Sequence, residues 1–183
     1  MKTKINTRDM VITALLIAIG IIIPIYFSFL KVVLPPAFTA TLLSHVPIFI
    51  AMFISPWSAA FTAIGTTIGF AVNPVIGPVV TARAGSHIIF ALVGAFMIKK
   101  NCNLVSVGVA TAILHALFEA ITVYIFLSLG LTATEEGVTY FSAAFYTTGI
   151  GTLIHDIIDF IVACGIGAAL AKAKAIPKLP KVI

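Results

Sequence analysis

Residues 104–130 read LVSVGVATAILHALFEAITVYIFLSLG. This apolar run is long enough to cross the hydrocarbon core of a bilayer, which takes about 20 helical residues. Its only charged or histidine side chains are His115 and Glu119, which lie one helical turn apart on the same face. Ionisable groups inside a membrane are costly and usually face a bundle interior or a water-filled cavity. The stretch therefore predicts a membrane helix with a polar face turned inward.

The composition extends this interpretation to the whole chain. Of 183 residues, 61% are hydrophobic and 9% are charged, whereas a soluble domain averages about 45–50% apolar residues. At about 20 residues per crossing, the length allows six crossings with short loops and no soluble domain. The apolar runs are continuous rather than alternating, which argues against a barrel. We therefore predict an all-α integral membrane protein that forms one transmembrane domain over residues 1–183. Its six predicted transmembrane helices cover residues 10–30, 38–54, 57–72, 79–98, 104–130 and 140–171.

The basic residues lie in the segments between and beyond these runs. With six crossings, both termini and the segment around Lys99 share one side of the membrane. That side carries nine of the 11 Lys and Arg residues, and the positive-inside rule then places both termini in the cytoplasm. The same distribution argues against a nucleic-acid-binding surface, although the net charge is +5. We expect a multi-pass membrane protein, with the lipid bilayer as its surroundings.

Ionisable pairs at helical spacing recur in three of the runs: Arg83/His87, His115/Glu119 and His155/Asp159. Arg83 and His87 lie in the outer half of the fourth predicted helix, and an Arg fork matches a carboxylate. Snorkelling of Arg83 to the interface is the structural alternative. His115 and Glu119 are predicted to form a second wall of the same pocket, whereas His155/Asp159 is expected to join helices. His45, inside the second predicted helix, is a further pocket candidate or a structural polar contact.

Metal and catalytic sites are not predicted. His115, Glu119, His155 and Asp159 give four possible ligands on two helices, but the spacing matches no metalloprotease helix. The sequence also contains no phosphate loop and no nucleophile elbow. We therefore expect no catalytic residues, no metal and no cofactor in this chain. Any energy for transport against a gradient must come from an ion gradient or from another subunit.

Small residues form a different pattern near the inner ends of two helices. Ala14 and Ala18 share one face of the first helix, and Gly165 and Ala169 share one face of the last. Small residues at this spacing let helices approach closely. Internal packing is the common explanation, but two such faces at the same depth favour a partner protein.

With these features in place, the whole chain resembles a substrate-binding S component of an energy-coupling factor vitamin transporter. The resemblance rests on chain size, on six helices with cytoplasmic termini and on the Ala14-x-x-x-Ala18 motif. Residues 41–56, TLLSHVPIFIAMFISP, with Arg83-Ala-Gly-Ser-His87 following, are similar to niacin- or pantothenate-type members. The N-terminus lacks the Met-His start of the nickel and cobalt members.

The resemblance implies a non-enzymatic subunit that captures niacin or pantothenate from outside. It also implies a transmembrane T subunit, which the alanine motif contacts, and a pair of ABC-type ATPase subunits that use ATP. Both vitamins carry a carboxylate that suits Arg83, and Asn73 and Tyr146 are added as substrate-binding candidates. Two alternatives stay open, a self-sufficient proton-coupled transporter and an intramembrane metalloenzyme.

Overall fold

Apolar runs and polar caps determine the helices in residues 6–183, the part of the chain that the computed structural model describes. Lys2 and Lys4 of the basic N-terminal segment lie outside these residues. Side chains of Asn6, Ser55 and Asn103 accept hydrogen bonds from backbone N–H groups in the first turns of three helices, as N-caps do. The α-helices are α1 (Thr7–Tyr26), α2 (Val46–Ile54), α3 (Pro56–Val72), α4 (Pro78–Lys99), α5 (Leu104–Ser128) and α6 (Ile150–Lys172).

The helix predicted for residues 38–54 begins only at Val46, because a β-hairpin occupies the chain before it. Strands β1 (Lys31–Leu34) and β2 (Phe38–Thr41) pair antiparallel. Prolines 35 and 36 lie in the turn, and the β-branched valines and threonines around them favour strands. Leu43 then adopts a positive φ of 69°, a backbone conformation that is incompatible with a right-handed helix at this position. His45 is consequently the N-cap of α2 rather than a residue inside a helix.

The other boundaries agree with the prediction to within a few residues, and the last span is helical from residue 140 onward. A π-helical segment, Ser142–Gly149, precedes α6 and continues directly into it. Such segments are often associated with functional sites. Together the two segments form a continuous stretch of 31 residues, which accounts for the unusual length of the last predicted span.

Helix α2 lies at the centre of the bundle. Residues 46–53 are all buried, and α2 packs against α1, α3, α4 and α6. The outward faces of the long helices instead carry exposed Leu, Ile, Val and Phe side chains, which is the arrangement expected of a protein whose solvent is lipid.

Four helical segments among the described residues are long and apolar enough to cross a membrane: α1, α4, α5 and the continuous 142–172 segment. Helix α2 has nine residues and α3 has 17. At 1.5 Å per residue α2 spans about 14 Å, roughly half of the hydrocarbon core. The structure thus supports an all-α membrane protein with four clear spans and two shorter helices.

The two ends of the bundle differ in what they carry. At one end, the Arg8 guanidinium donates to the carbonyl of Lys174 at 2.8 Å, and the N–H of Leu104 donates to the carbonyl of Lys181 at 2.9 Å. The two terminal segments therefore contact each other, and the C-terminal segment also contacts the start of α5. The β-hairpin and the 73–77 turn lie at the opposite end, where α1 and α3 finish.

Candidate functional site

A cavity of about 100 Å³ opens beneath the β-hairpin. Its outer wall consists of β2, Lys31 and the 73–77 turn, and its inner wall consists of polar side chains from α4, α5 and α6. Five of the seven predicted substrate-binding residues line it: His45, Asn73, Arg83, His87 and Glu119.

Arg83 is buried, with 4% of its surface exposed, so it does not snorkel to the membrane surface. One terminal nitrogen, Nη2, lies 2.7 Å from Oε2 of Glu119 and 3.0 Å from the carbonyl oxygen of Thr39. The other, Nη1, donates to Oγ1 of Thr39 at 3.3 Å. The guanidinium therefore connects α4 to α5 and to the hairpin strand above the cavity.

The Glu119 carboxylate contacts side chains from three helices. Besides Arg83, it accepts a short hydrogen bond from the Thr152 hydroxyl. Its second oxygen, Oε1, lies 3.2 Å from Nε2 of His87 and 3.5 Å from Nε2 of His115. A buried carboxylate is stable only when its oxygens are paired and hydrogen-bonded, and these groups meet that requirement.

Two aspartates on α6, Asp156 and Asp159, form further hydrogen bonds of the site. Asp156 Oδ1 lies 2.7 Å from Nδ1 of His115. Asp159 accepts from the backbone N–H groups of Leu43 and His45 at 3.0 and 3.1 Å, and its Oδ2 lies 3.2 Å from Nδ1 of His45. The Asp159 carboxylate thereby binds free donors at the start of α2, where a helix N-terminus favours negative charge.

The four histidines of the chain meet at the centre of this network. The ring of His45 lies 4.6 Å from that of His87, 4.5 Å from that of His115 and 4.8 Å from that of His155, centroid to centroid. All four are buried. With neutral histidines, Arg83 and the three carboxylates leave the cluster with two net negative charges.

The intrahelical pairs predicted from sequence lie on common faces, but the closest polar contacts of Arg83, His87, His115 and Asp159 are to residues outside their own helices. His115 and Glu119 approach to 3.5 Å and His155 and Asp159 to 3.4 Å. His115 lies nearer to Asp156 of α6, and Arg83 and His87 both contact Glu119 of α5.

Asn73 and Tyr146 have different surroundings. The Asn73 amide donates to the carbonyl of Pro24 at 2.6 Å, so it satisfies an otherwise free carbonyl at the end of α1 while it lines the cavity. Tyr146 is 62% exposed and is not among the residues that line the cavity.

Sequence reasoning did not identify Thr152 or Asp156 as parts of the site. Thr152 and Asp156 are four residues apart, so they share a helix face and both reach α5 groups. That spacing was a usable signal for a shared helix face.

The four predicted partner-contact residues, Ala14, Ala18, Gly165 and Ala169, are exposed on the bundle surface. The buried face of α1 is formed instead by neighbours such as Thr13, Leu16 and Gly20. Near the end of the bundle that carries both termini, α1 and α6 thus present small side chains outward.

Most of the chain is similar in sequence to a known transporter. The chain is 37% identical over 177 residues to the niacin transporter NiaX of Lactococcus lactis subsp. cremoris strain MG1363, a match that covers 93% of this chain and 78% of that protein. No family model matches the chain. No solved structure matches it either.

Proposed function

The chain belongs to the niacin-transporter family of S components, the substrate-binding subunits of energy-coupling factor transporters, and from this premise we propose that it captures niacin from outside the cell. It is a multi-pass protein of the bacterial plasma membrane and a transport subunit rather than an enzyme. The proposal concerns its vitamin, its site, its topology and its energy source.

The observation that carries the choice of an anionic vitamin is the buried Arg83 at the cavity wall. Its guanidinium is held in place by Thr39 and Glu119, and its Nε has no hydrogen-bond partner among the described residues. Lys31 adds a second positive charge to the cavity lining. Niacin in its acid form carries a carboxylate, which an Arg fork binds through charge-assisted hydrogen bonds.

Niacin is favoured over pantothenate by the relative's specificity and by the small size of the cavity, about 100 Å³. The aromatic ring of Phe38 and the imidazoles of His45, His87 and His155 line the cavity, and flat rings suit a flat ligand. We assign Arg83, His87, His45 and Glu119 to the vitamin site, with His115 behind them.

The decisive experiment is identification by mass spectrometry of the molecule that co-purifies with the protein, followed by calorimetric titration. Nicotinate is expected to bind tightly and pantothenate weakly. Tight pantothenate binding with no nicotinate binding would overturn the assignment.

We also propose six membrane crossings with cytoplasmic termini. Only Ser55 separates α2 from α3, and the two helices pack against each other, so we propose that this pair returns the chain to the side from which it entered. The four long spans then leave both termini on one side, the side richest in Lys and Arg.

Energy is proposed to come from a T subunit and two ATPase subunits, because the chain itself contains no nucleotide-binding motif. Uptake of labelled niacin should require co-expression of these subunits. Uptake by this protein alone that a protonophore abolishes at unchanged ATP would instead establish the proton-coupled alternative.

A further inference from the structure

The four buried histidines have an organisation that vitamin binding does not require. They come from separate parts of the chain: His45 precedes α2, His87 lies on α4, His115 on α5 and His155 on α6. Yet a ring nitrogen of each of His45, His87 and His115 lies within 4.8 Å of those of the other two. His45 also forms such a group with His155 and Asp159, so the two groups share one residue.

Each of the first three rings is held by its own carboxylate. His45 faces Asp159 at 3.2 Å, His87 faces Glu119 at 3.2 Å and His115 faces Asp156 at 2.7 Å, in each case through one ring nitrogen. A carboxylate on one nitrogen fixes the tautomer and orientation of the ring and makes the other nitrogen a better ligand. This is the usual environment of histidines that bind metal ions.

Three of the rings have nitrogens without a hydrogen bond among the described residues, although Nε2 of His115 and Nε2 of His155 lie 3.5 and 3.4 Å from the carboxylates of Glu119 and Asp159. Nδ1 of His87 and Nε2 of His115 have no hydrogen-bond partner among the described residues, and neither nitrogen of His155 has one. Histidines that served only to join helices would be expected to use both nitrogens, because an unpaired buried polar atom costs about 1–3 kcal/mol.

The charge of the cluster is compatible with a bound cation. Arg83 neutralises one of the three buried carboxylates, and two negative charges remain if the histidines are neutral, as metal ligands must be. Buried net charge is strongly unfavourable. A single divalent cation would bring the cluster to neutrality.

We propose that His45, His87 and His115 bind a divalent transition-metal ion of the zinc class, with Asp159, Glu119 and Asp156 as the carboxylates that orient them. Imidazole nitrogen is a preferred ligand of zinc and its neighbours in the first transition row. Because His45 and His87 also line the cavity, the ion would lie at its inner end, with His155 beside it. This site goes beyond the proposed function and does not rest on the identity of the vitamin.

The test uses full-length protein in detergent, carrying a tag without histidines, stripped with EDTA and then titrated. Zinc chloride in competition with a chromogenic chelator is expected to give one zinc ion per chain. Cobalt chloride is expected to give visible absorption bands typical of tetrahedral nitrogen coordination. His87→Gln and His115→Gln should each lower zinc affinity by about 100-fold or more, beyond the 10- to 100-fold effect typical of losing an outer carboxylate. Cys164→Ser, on α6 but outside the cluster, should leave affinity unchanged.

The proposal is overturned if the unmodified protein binds no stoichiometric zinc, or if both histidine variants bind zinc as well as it does. If the variants fail to fold, the cobalt spectrum of the unmodified protein alone tests the metal site. Absence of the expected absorption bands then overturns the proposal. Nicotinate titration of the same preparations separates this outcome from any failure of the vitamin assignment.

Discussion

Among single residues, Glu119 connects the helices that form the site. Its carboxylate contacts Arg83 and His87 of α4, Thr152 of α6 and His115 of its own helix. Removing one partner of such a buried network leaves an uncompensated charge, which is far costlier than losing an exposed pair. The network therefore fixes the position of the Arg83 guanidinium before any ligand binds.

Arg83→Ala is expected to weaken nicotinate binding by about 1.5–3 kcal/mol, since a hydrogen bond to a charged group contributes about that much. This corresponds to a roughly 10- to 150-fold rise in Kd, measured by isothermal titration calorimetry. Arg83→Lys retains the charge without the planar fork and should give an intermediate value. Nicotinamide, which has no carboxylate, is the matched ligand. An equal loss for both ligands would show that Arg83 supports the fold rather than the anion.

At the scale of elements, the β-hairpin depends on its attachments to the helices. A two-stranded hairpin is at best marginally stable alone. Here the Arg83 side chain donates to the carbonyl of Thr39 at 3.0 Å, and the Thr148 hydroxyl donates to that of Ala37 at 3.3 Å. Gly151 provides a third attachment, because a Cβ there would lie 2.7 Å from the Phe38 ring. The hairpin thus covers the cavity only while α4 and α6 hold it.

Gly151→Val is expected to displace Phe38, since overpacking typically costs about 1–3 kcal/mol. The displaced hairpin should release nicotinate faster, which stopped-flow fluorescence measures. Gly165→Val, on the same helix, is the control, because a Cβ there meets nothing within 4 Å. Unchanged dissociation in the Gly151 variant would mean that the hairpin does not retain the ligand.

At the scale of the whole molecule, ligand cavity and proposed partner surface occupy opposite ends. The cavity lies beneath the hairpin, whereas Ala14 and Ala18 are exposed nearer the end that carries both termini. Helices α1 and α6 both pack on α2, whose N-terminus is bound by Asp159. One central helix therefore connects the vitamin site to both surface faces of small residues.

Replacing Ala14 and Ala18 together with Trp should impair niacin uptake by the complete transporter by about tenfold or more and leave nicotinate affinity unchanged. Large side chains prevent the close helix approach that small residues permit. Val109→Trp, at a similar depth on the exposed face of α5, is the control. A variant pair with normal uptake would remove this face from the partner interface.

The proposed topology predicts on which side of the membrane each loop and terminus lies. In a background lacking Cys102 and Cys164, a cysteine at Glu136 should react with a membrane-impermeant maleimide in intact cells. A cysteine at Lys178 should react only after permeabilisation, because the positive-inside rule places this end in the cytoplasm. Labelling of both positions in intact cells would contradict the six-span arrangement.

The sequence by itself determined the membrane class, most helix boundaries and the residues that share a helix face. Continuous apolar runs are read directly from composition, and positions four apart must lie together on a helix. Arg83, His87, His45 and Glu119 were predicted as pocket residues in this way, because polar residues are rare inside a membrane, and they line the cavity. Residues 38–41 were predicted as the start of a helix, although the β-branched Thr39 and Thr41 favour a strand.

Only the tertiary structure decided which groups meet. Asp156 pairs with His115 and Asp159 with His45 across separations of 41 and 114 residues, and no local spacing encodes such pairs. The exposure of Tyr146 and the meeting of four histidines likewise follow from how the helices cross. Periodicity fixes a side chain's direction on its own helix. Which neighbour it reaches depends on the packing of every helix around α2.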